Sequence, residues 1–173
     1  MSVTDPLVHQ VLDTEAQGAA AEIFQEFISQ GKTVPKWVRV MANDSDILVN
    51  FYKMFKATMD DTPLPKVLKW KVAQVVSTLN ECEFCLDVTH AQLKQFGLTD
   101  EQIEKVEETD DKREKIAMEF AKAATKEAYK IDPQITKEIK ENFNDSELVE
   151  LAAVVGLFNY INRFNDSLGV LPG

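Results

Sequence analysis

The chain has 173 residues, 45% hydrophobic and 28% charged, with 19 Lys and Arg against 29 Asp and Glu for a net charge of −10. That length suits one domain, or two small halves sharing a core, burying roughly 70% of the unfolded-state surface, and the composition excludes collagen-like, disordered and disulfide-scaffold classes. The negative charge repels polyanions, so neither nucleic acid nor an anionic membrane surface is an expected partner.

No apolar run approaches the ~20 residues that span a bilayer. The opening MSVTDPLVHQVLDTEAQG lacks the basic flank and apolar stretch of a signal peptide, which implies a cytoplasmic protein. Helical periodicity then runs through the sequence. Ala16, Ala19, Ala20, Ile23, Phe24, Phe27 and Ile28 recur at three- and four-residue intervals, and Gly31 stands where a helix would stop. Pro35 opens a short helix with Trp37, Val38 and Met41. The cluster from Asn43 to Asp46 caps a third, with Ile47, Leu48, Phe51, Met54 and Phe55 as its expected buried stripe.

The stretch Asp60 to Pro65 (DDTPLP) breaks the pattern and marks an internal boundary, too short for a flexible linker. It divides one domain over residues 1–173 into an N-terminal part of about 1–62 and a core of about 63–173. Val67, Leu68, Val72, Val75, Val76 and Leu79 define a helix ending near Asn80, and Cys82 to Phe96 continue as a helix stopped at Gly97. Thr99 or Asp100 caps a short acidic helix with Ile103 and Val106. Another runs from about Asp110 through Ile116, Phe120 and Ala124 towards Tyr129, and Pro133 opens a short one with Ile135 and Ile139. Asn144 with Glu147 forms a capping box for the last long helix, ending near Leu168-Gly169. Val72–Leu79 and Leu151–Ile161 are apolar around much of their circumference, as central helices are. The fold class is all-α, a compact helical bundle.

The two cysteines, Cys82 and Cys85, form a C-x-x-C. They are too close to staple distant segments, so the pair is redox-active, metal-binding or simply buried. With Asn80 as the helix cap, both thiols lie in the first turns on one face, where unpaired N–H groups favour thiolate. Glu81, Glu83 and Asp87 oppose this, since nearby negative charge disfavours thiolate. His90 is the local counterweight. At about 100° per residue it lies roughly 80° around the helix from Cys82 and roughly 140° from Cys85. Thr89 lies over Cys85, placed to donate to its thiolate. A zinc site would need a fourth ligand beside Cys82, Cys85 and His90, from His9 or a carboxylate, and no second C-x-x-C supplies one. No metal or cofactor is expected. Asn159, Asn162, Arg163 and Asn165 anchor the end of the last helix or a subunit contact, in preference to a substrate role, with Arg163 spaced to pair with Asn159 or Asp166.

The stretch from Leu64 to His90 (LPKVLKWKVAQVVSTLNECEFCLDVTH) resembles the core of the alkylhydroperoxidase-D-like, carboxymuconolactone decarboxylase superfamily. The shared pattern is a leucine-proline opening, a helix ending in Asn, a C-x-x-C with an aromatic before its second Cys, and a histidine. Phe158-Asn159, Asn162-Arg163, Asp166 and Leu168-Gly169 are similar to the ending of the peroxidase-related branch, and Gly31, Val34-Pro35 and the helix after Asn43 are similar to its start. The resemblance implies an oligomeric all-α protein in which Cys82 and Cys85 reduce hydroperoxides, Cys85 attacking and Cys82 resolving. A dithiol or thioredoxin-like partner then resets the pair. The decarboxylase branch lacks this cysteine pair, so peroxidase chemistry is favoured over lactone decarboxylation. Two positions depart from the family pattern. Thr89 stands where the family histidine is expected, one residue before His90, and Trp70 stands where the proton-relay glutamate is expected. Gln74, one turn on, hydrogen-bonds but takes no proton at neutral pH. Relay loss leaves two further readings: a thiol–disulfide exchanger or redox sensor with weak peroxidase activity, and a non-catalytic helical scaffold.

Overall fold

The computed structural model describes residues 6–172. Among them are nine α-helices and no strand, so Val75-Val76, β-branched as they are, lie in a helix. None of these helices is long and apolar enough to cross a membrane. The chain divides into two compact units: residues up to Ala57 together with those from Phe164 onward, and Thr58 to Arg163.

In the first unit, α1 (Gly18–Ser29) buries Ala20, Ile23 and Phe24 and ends before Gly31, whose φ of 68° is the left-handed turn that glycine adopts without strain. Pro35 is the N-cap of α2 (Lys36–Met41), just outside the helix, where its missing N–H costs no hydrogen bond. Asp44 accepts from the Ile47 N–H at 3.0 Å and so starts α3 (Ser45–Met59). The α3 stripe is narrower than its spacing predicts. Leu48 and Phe51 are buried, whereas Ile47 and Met54 are about half exposed, because helical spacing fixes a face but not the width that neighbours cover. Trp37 meets Phe51 edge-on at 5.4 Å between ring centroids, a favoured aromatic geometry. The chain end belongs to this unit: Lys36 Nζ donates to the carbonyls of Leu171 and Pro172 at 3.1 and 3.0 Å.

The second unit is organised on α4 (Lys66–Leu79), buried on nearly every side from Leu68 to Ser77. It rests against α5 (Glu83–Gln95) and α7 (Lys112–Glu127), and α5 carries α6 (Asp100–Glu104) beside it. Thr99 and Gln102 form a reciprocal capping box on α6, and Asp111 caps α7 by accepting from the Arg113 and Glu114 N–H groups. A 3₁₀ turn (Ala128–Lys130) and α8 (Pro133–Asn142) follow α7. The expected Asn144–Glu147 box starts α9 (Asp145–Leu168), each side chain 3.0 Å from the other's N–H. Val75, Val106 and Met118 make a core cluster, with Leu79 against it. The α9 segment is not covered all round: Ala152, Gly156 and Tyr160 share one exposed face.

Candidate functional site

The site is built where α4 hands over to α5. Asn80 ends the first helix, as its spacing predicts, with φ −89° and ψ −5°, but the expected role of capping the second helix falls to Cys82. The next residue, Glu81, takes the left-handed conformation with φ 57°. Its N–H donates to the Thr78 carbonyl at 3.2 Å, and the Cys82 N–H reaches back to the Ser77 carbonyl at 3.2 Å. These two bonds are a Schellman closure, with glutamate in the place usually held by glycine. The asparagine misleads because its short amide suits either end of a helix. Cys82 therefore does two jobs. Its N–H closes α4, and it is the N-cap of α5, its carbonyl accepting from the Leu86 N–H at 2.9 Å.

Cys85 follows as the third residue of α5, so its own N–H is among the donors with no acceptor inside the helix. Both cysteines are free thiols, and both are buried, 0% and 3% exposed. Thr89, fully buried one turn after Cys85, directs its hydroxyl at the Gln74 side-chain oxygen, with the Cys85 and Leu86 carbonyls at 2.9 and 3.1 Å. Thr89 was expected to serve the Cys85 thiolate; the acceptors that surround its single proton are carbonyl oxygens. Thr89 and Gln74 thus form one buried pair joining α5 to α4. Trp70 lies one turn before Gln74, buried and edge-on to Phe158 at 5.9 Å.

His90 sits at the surface side of α5, its Nε2 2.9 Å from Asp100 Oδ1. Lys94 donates to the same oxygen at 2.9 Å, and the hydrogen bonds from Lys94 and then His90 hold the Asp100 carboxyl below its usual range. So the structure joins Cys82, Cys85, Thr89 and Gln74 in one buried neighbourhood, and gives the His90 ring a carboxylate partner on α6.

Two polar clusters escaped the sequence reading. Asn80 Nδ2 donates to Asn159 Oδ1 and Asn162 Oδ1 at 3.1 and 2.9 Å, and Asn162 Nδ2 donates to Ser77 Oγ at 3.1 Å. Asn159 was expected to pair along its own helix, and it does so with Arg163 Nη1 at 2.6 Å; its link to Asn80 ties that pair to the thiol corner. At the other end of α4, Lys69 is fully buried. Its ammonium donates to the Thr58 and Asp60 carbonyls at 2.9 and 3.0 Å and to Thr62 Oγ1 at 2.6 Å, and lies 3.1 Å from Glu150 Oε2. Burial pushes the Glu150 carboxyl up, but hydrogen bonds from Thr62 and Lys69 and the ammonium charge outweigh it, leaving the group below its usual range. Only the presence of a lysine among apolar neighbours signalled this.

Residues 48–111 match the Carboxymuconolactone decarboxylase family. The uncharacterized protein YnjA of Escherichia coli (strain K12) is 26% identical over 114 residues, which spans 63% of this chain and 63% of that relative, so less than two thirds of its length is covered. Among solved structures, the AhpD-core, uncharacterized peroxidase-related protein of Ralstonia eutropha JMP134 superposes with a TM-score of 0.86 at 19% identity, covering 97% of this chain and 92% of that one. The debrominase Bmp8 superposes with a TM-score of 0.80 at 18% identity, covering 98% and 91%. One helical architecture therefore serves a peroxidase-related protein and a debrominase, and at these identities it is the fold that is shared. Residues 48–111 are thus similar to the Carboxymuconolactone decarboxylase family, and the chain shares its fold with the AhpD-core protein over 97% of its length.

Proposed function

We propose that this chain is a thiol-dependent peroxidase working through a Cys82–Cys85 dithiol/disulfide cycle. The observation that supports it most is the placement of two free thiols at the N-cap and third position of one helix, in a chain with no other cysteine. Helix-start N–H groups favour thiolate at these positions, while burial and the nearby carboxylates of Glu83 and Asp87 oppose it. Cys85 attacks the terminal oxygen of the hydroperoxide; the O–O bond breaks, the alcohol leaves with a proton, and Cys85 becomes a sulfenic acid. The Cys82 sulfur then attacks it, the S–O bond breaks, water leaves, and the disulfide forms. An external dithiol, itself oxidised to a disulfide, returns two electrons and two protons. His90 is the imidazole on α5 that would exchange the proton, with Asp100 orienting its ring.

The test is hydroperoxide consumption by the reduced protein with dithiothreitol. Wild type turns over, and Cys82→Ser and Cys85→Ser fall to background; equal rates for wild type and Cys85→Ser sink the assignment. One observation favours a second reading, slow thiol–disulfide exchange. The pair next to Cys85 is Thr89 with Gln74, and neither accepts a proton at neutral pH. General-base assistance is worth about 10²–10⁴ in rate. Oxidation by peroxide slower by that factor than exchange with a disulfide would select the exchanger.

A further inference from the structure

A groove of about 460 Å³ lies along α9 beside α7, within the usual range for a small-molecule site. Its apolar wall includes Phe120 and Ala124 of α7 and Val155 of α9, and its polar end is Asn159 with Arg163. Two features mark it as a place for a ligand. The first is Gly156, in the middle of α9 with no left-handed backbone to require it, where an added Cβ would meet nothing within 4 Å. A glycine there weakens the helix relative to alanine and leaves open space in the groove wall. The second is charge. The chain has three arginines in a net charge of −10. Arg39 pairs with Asp13 and Arg113 with Glu147, whereas among the described residues Arg163 has no carboxylate partner and bonds the Asn159 carbonyl and side-chain oxygen at 2.9 and 2.6 Å. Those two bonds aim the guanidinium along α9 beside the apolar wall.

We infer that the α7–α9 groove binds an elongated apolar molecule ending in a carboxylate, with Arg163 taking the anion and Gly156 leaving room for the hydrocarbon. The inference rests on the peroxidase reading for its use, making the substrate class a carboxylate-bearing organic hydroperoxide rather than hydrogen peroxide. Asn159 carries the connection: it lines the groove and accepts from Asn80, two residues before Cys82.

Binding is measured calorimetrically on the full reduced chain with dodecanoate, dodecanol and dodecyltrimethylammonium below their micelle-forming concentrations. Dodecanoate binds, dodecanol binds about 10–100-fold more weakly for want of a charge-assisted hydrogen bond, and the cation does not bind. Arg163→Gln brings dodecanoate down to the level of dodecanol. Gly156→Leu, which adds a better helix former, abolishes both. No dodecanoate binding by wild type, or unchanged binding by either variant, overturns the inference. So does a wild-type dimer that Gly156→Leu splits into monomers, because the groove would then hold a second copy. Binding needs no turnover and is repeated on the Cys82→Ser/Cys85→Ser variant. Dodecanoate binding by a protein that consumes no hydroperoxide leaves the groove standing and removes the peroxidase; turnover of hydrogen peroxide without dodecanoate binding does the reverse.

Discussion

The two ends of α4 solve the burial of polar groups in opposite ways. At the N-terminal end, the Lys69 side chain is buried with two carbonyls, Thr62 and the Glu150 carboxylate around its amino group. At the C-terminal end, uncharged side chains are joined to one another, Thr89 with Gln74 and Asn80 with Asn159 and Asn162, and Arg163 reaches this network only through Asn159. A buried charge is tolerable only when its partners are fixed, so the Lys69 end is rigid by necessity. Under the peroxidase reading a thiol gains and loses its charge during turnover, and a fixed ion beside it would lock one state. Under that reading the helix start sets the thiol charge, and the ionic end holds the scaffold while it changes.

The strongest way to break this comparison is at the thiols. Under the peroxidase reading, Cys85→Ser lowers dithiothreitol-dependent hydroperoxide consumption by at least about 10³-fold, since no other side chain replaces the nucleophile. Its urea midpoint moves little, because serine is nearly isosteric. A large loss of stability with retained turnover would reverse the roles assigned to the two ends of the helix.

The ionic end predicts the opposite balance. Glu150→Ala leaves the Lys69 ammonium buried without its counter-charge and costs about 3–5 kcal/mol in urea unfolding. Lys69→Met/Glu150→Leu, which removes both charges, recovers most of that loss. The pH dependence follows from the depressed Glu150 carboxyl. A group whose folded-state value lies below its unfolded value adds stability above the unfolded value, near 4.5, and that stability is lost as pH falls through the folded value. Wild type therefore loses stability on acidification below about 4.5, whereas Lys69→Met/Glu150→Leu, which has no carboxyl there, does not share that loss, so wild type falls relative to the double variant.

The neutral pair carries a smaller effect. Thr89→Val removes the donor facing the Gln74 oxygen and costs about 1–3 kcal/mol, whereas Thr89→Val/Gln74→Leu removes both groups and approaches wild type. If the pair only positions the thiols, the double variant's rate changes less than its single parents' stabilities suggest.

The sequence was readable where a glycine stops a helix or a capping box starts one. Gly31, Gly97 and Gly169 all take positive φ, and Asn144 with Glu147 caps as spaced. It was unreadable where a partner comes from far along the chain. Lys69 on an apolar helix gives no sign that Glu150 will meet it, and Asn80 gives no sign of Asn159. The exposed Ile47 and Met54 fail for a related reason, since coverage belongs to the neighbours and not to the helix. At the site, the cysteine spacing was legible, but the corner that holds it was not: a glutamate in the left-handed region has no sequence signature.

That corner yields the smallest effect. Glu81 holds φ 57° because the Thr78 and Ser77 carbonyls are both satisfied only if the chain turns there. A side chain in this region costs about 1 kcal/mol that glycine does not pay, partly offset by glycine's greater freedom when unfolded. Glu81→Gly should therefore raise stability by roughly 0.5–1 kcal/mol in urea unfolding. It also removes one carboxylate next to Cys82, and one fewer negative charge favours thiolate. Alkylation of the native protein by iodoacetamide then separates two pictures of the buried thiols. If access is governed by opening of a strained corner, Glu81→Gly slows alkylation despite the friendlier electrostatics. If access is free and only thiolate content matters, the same variant reacts faster.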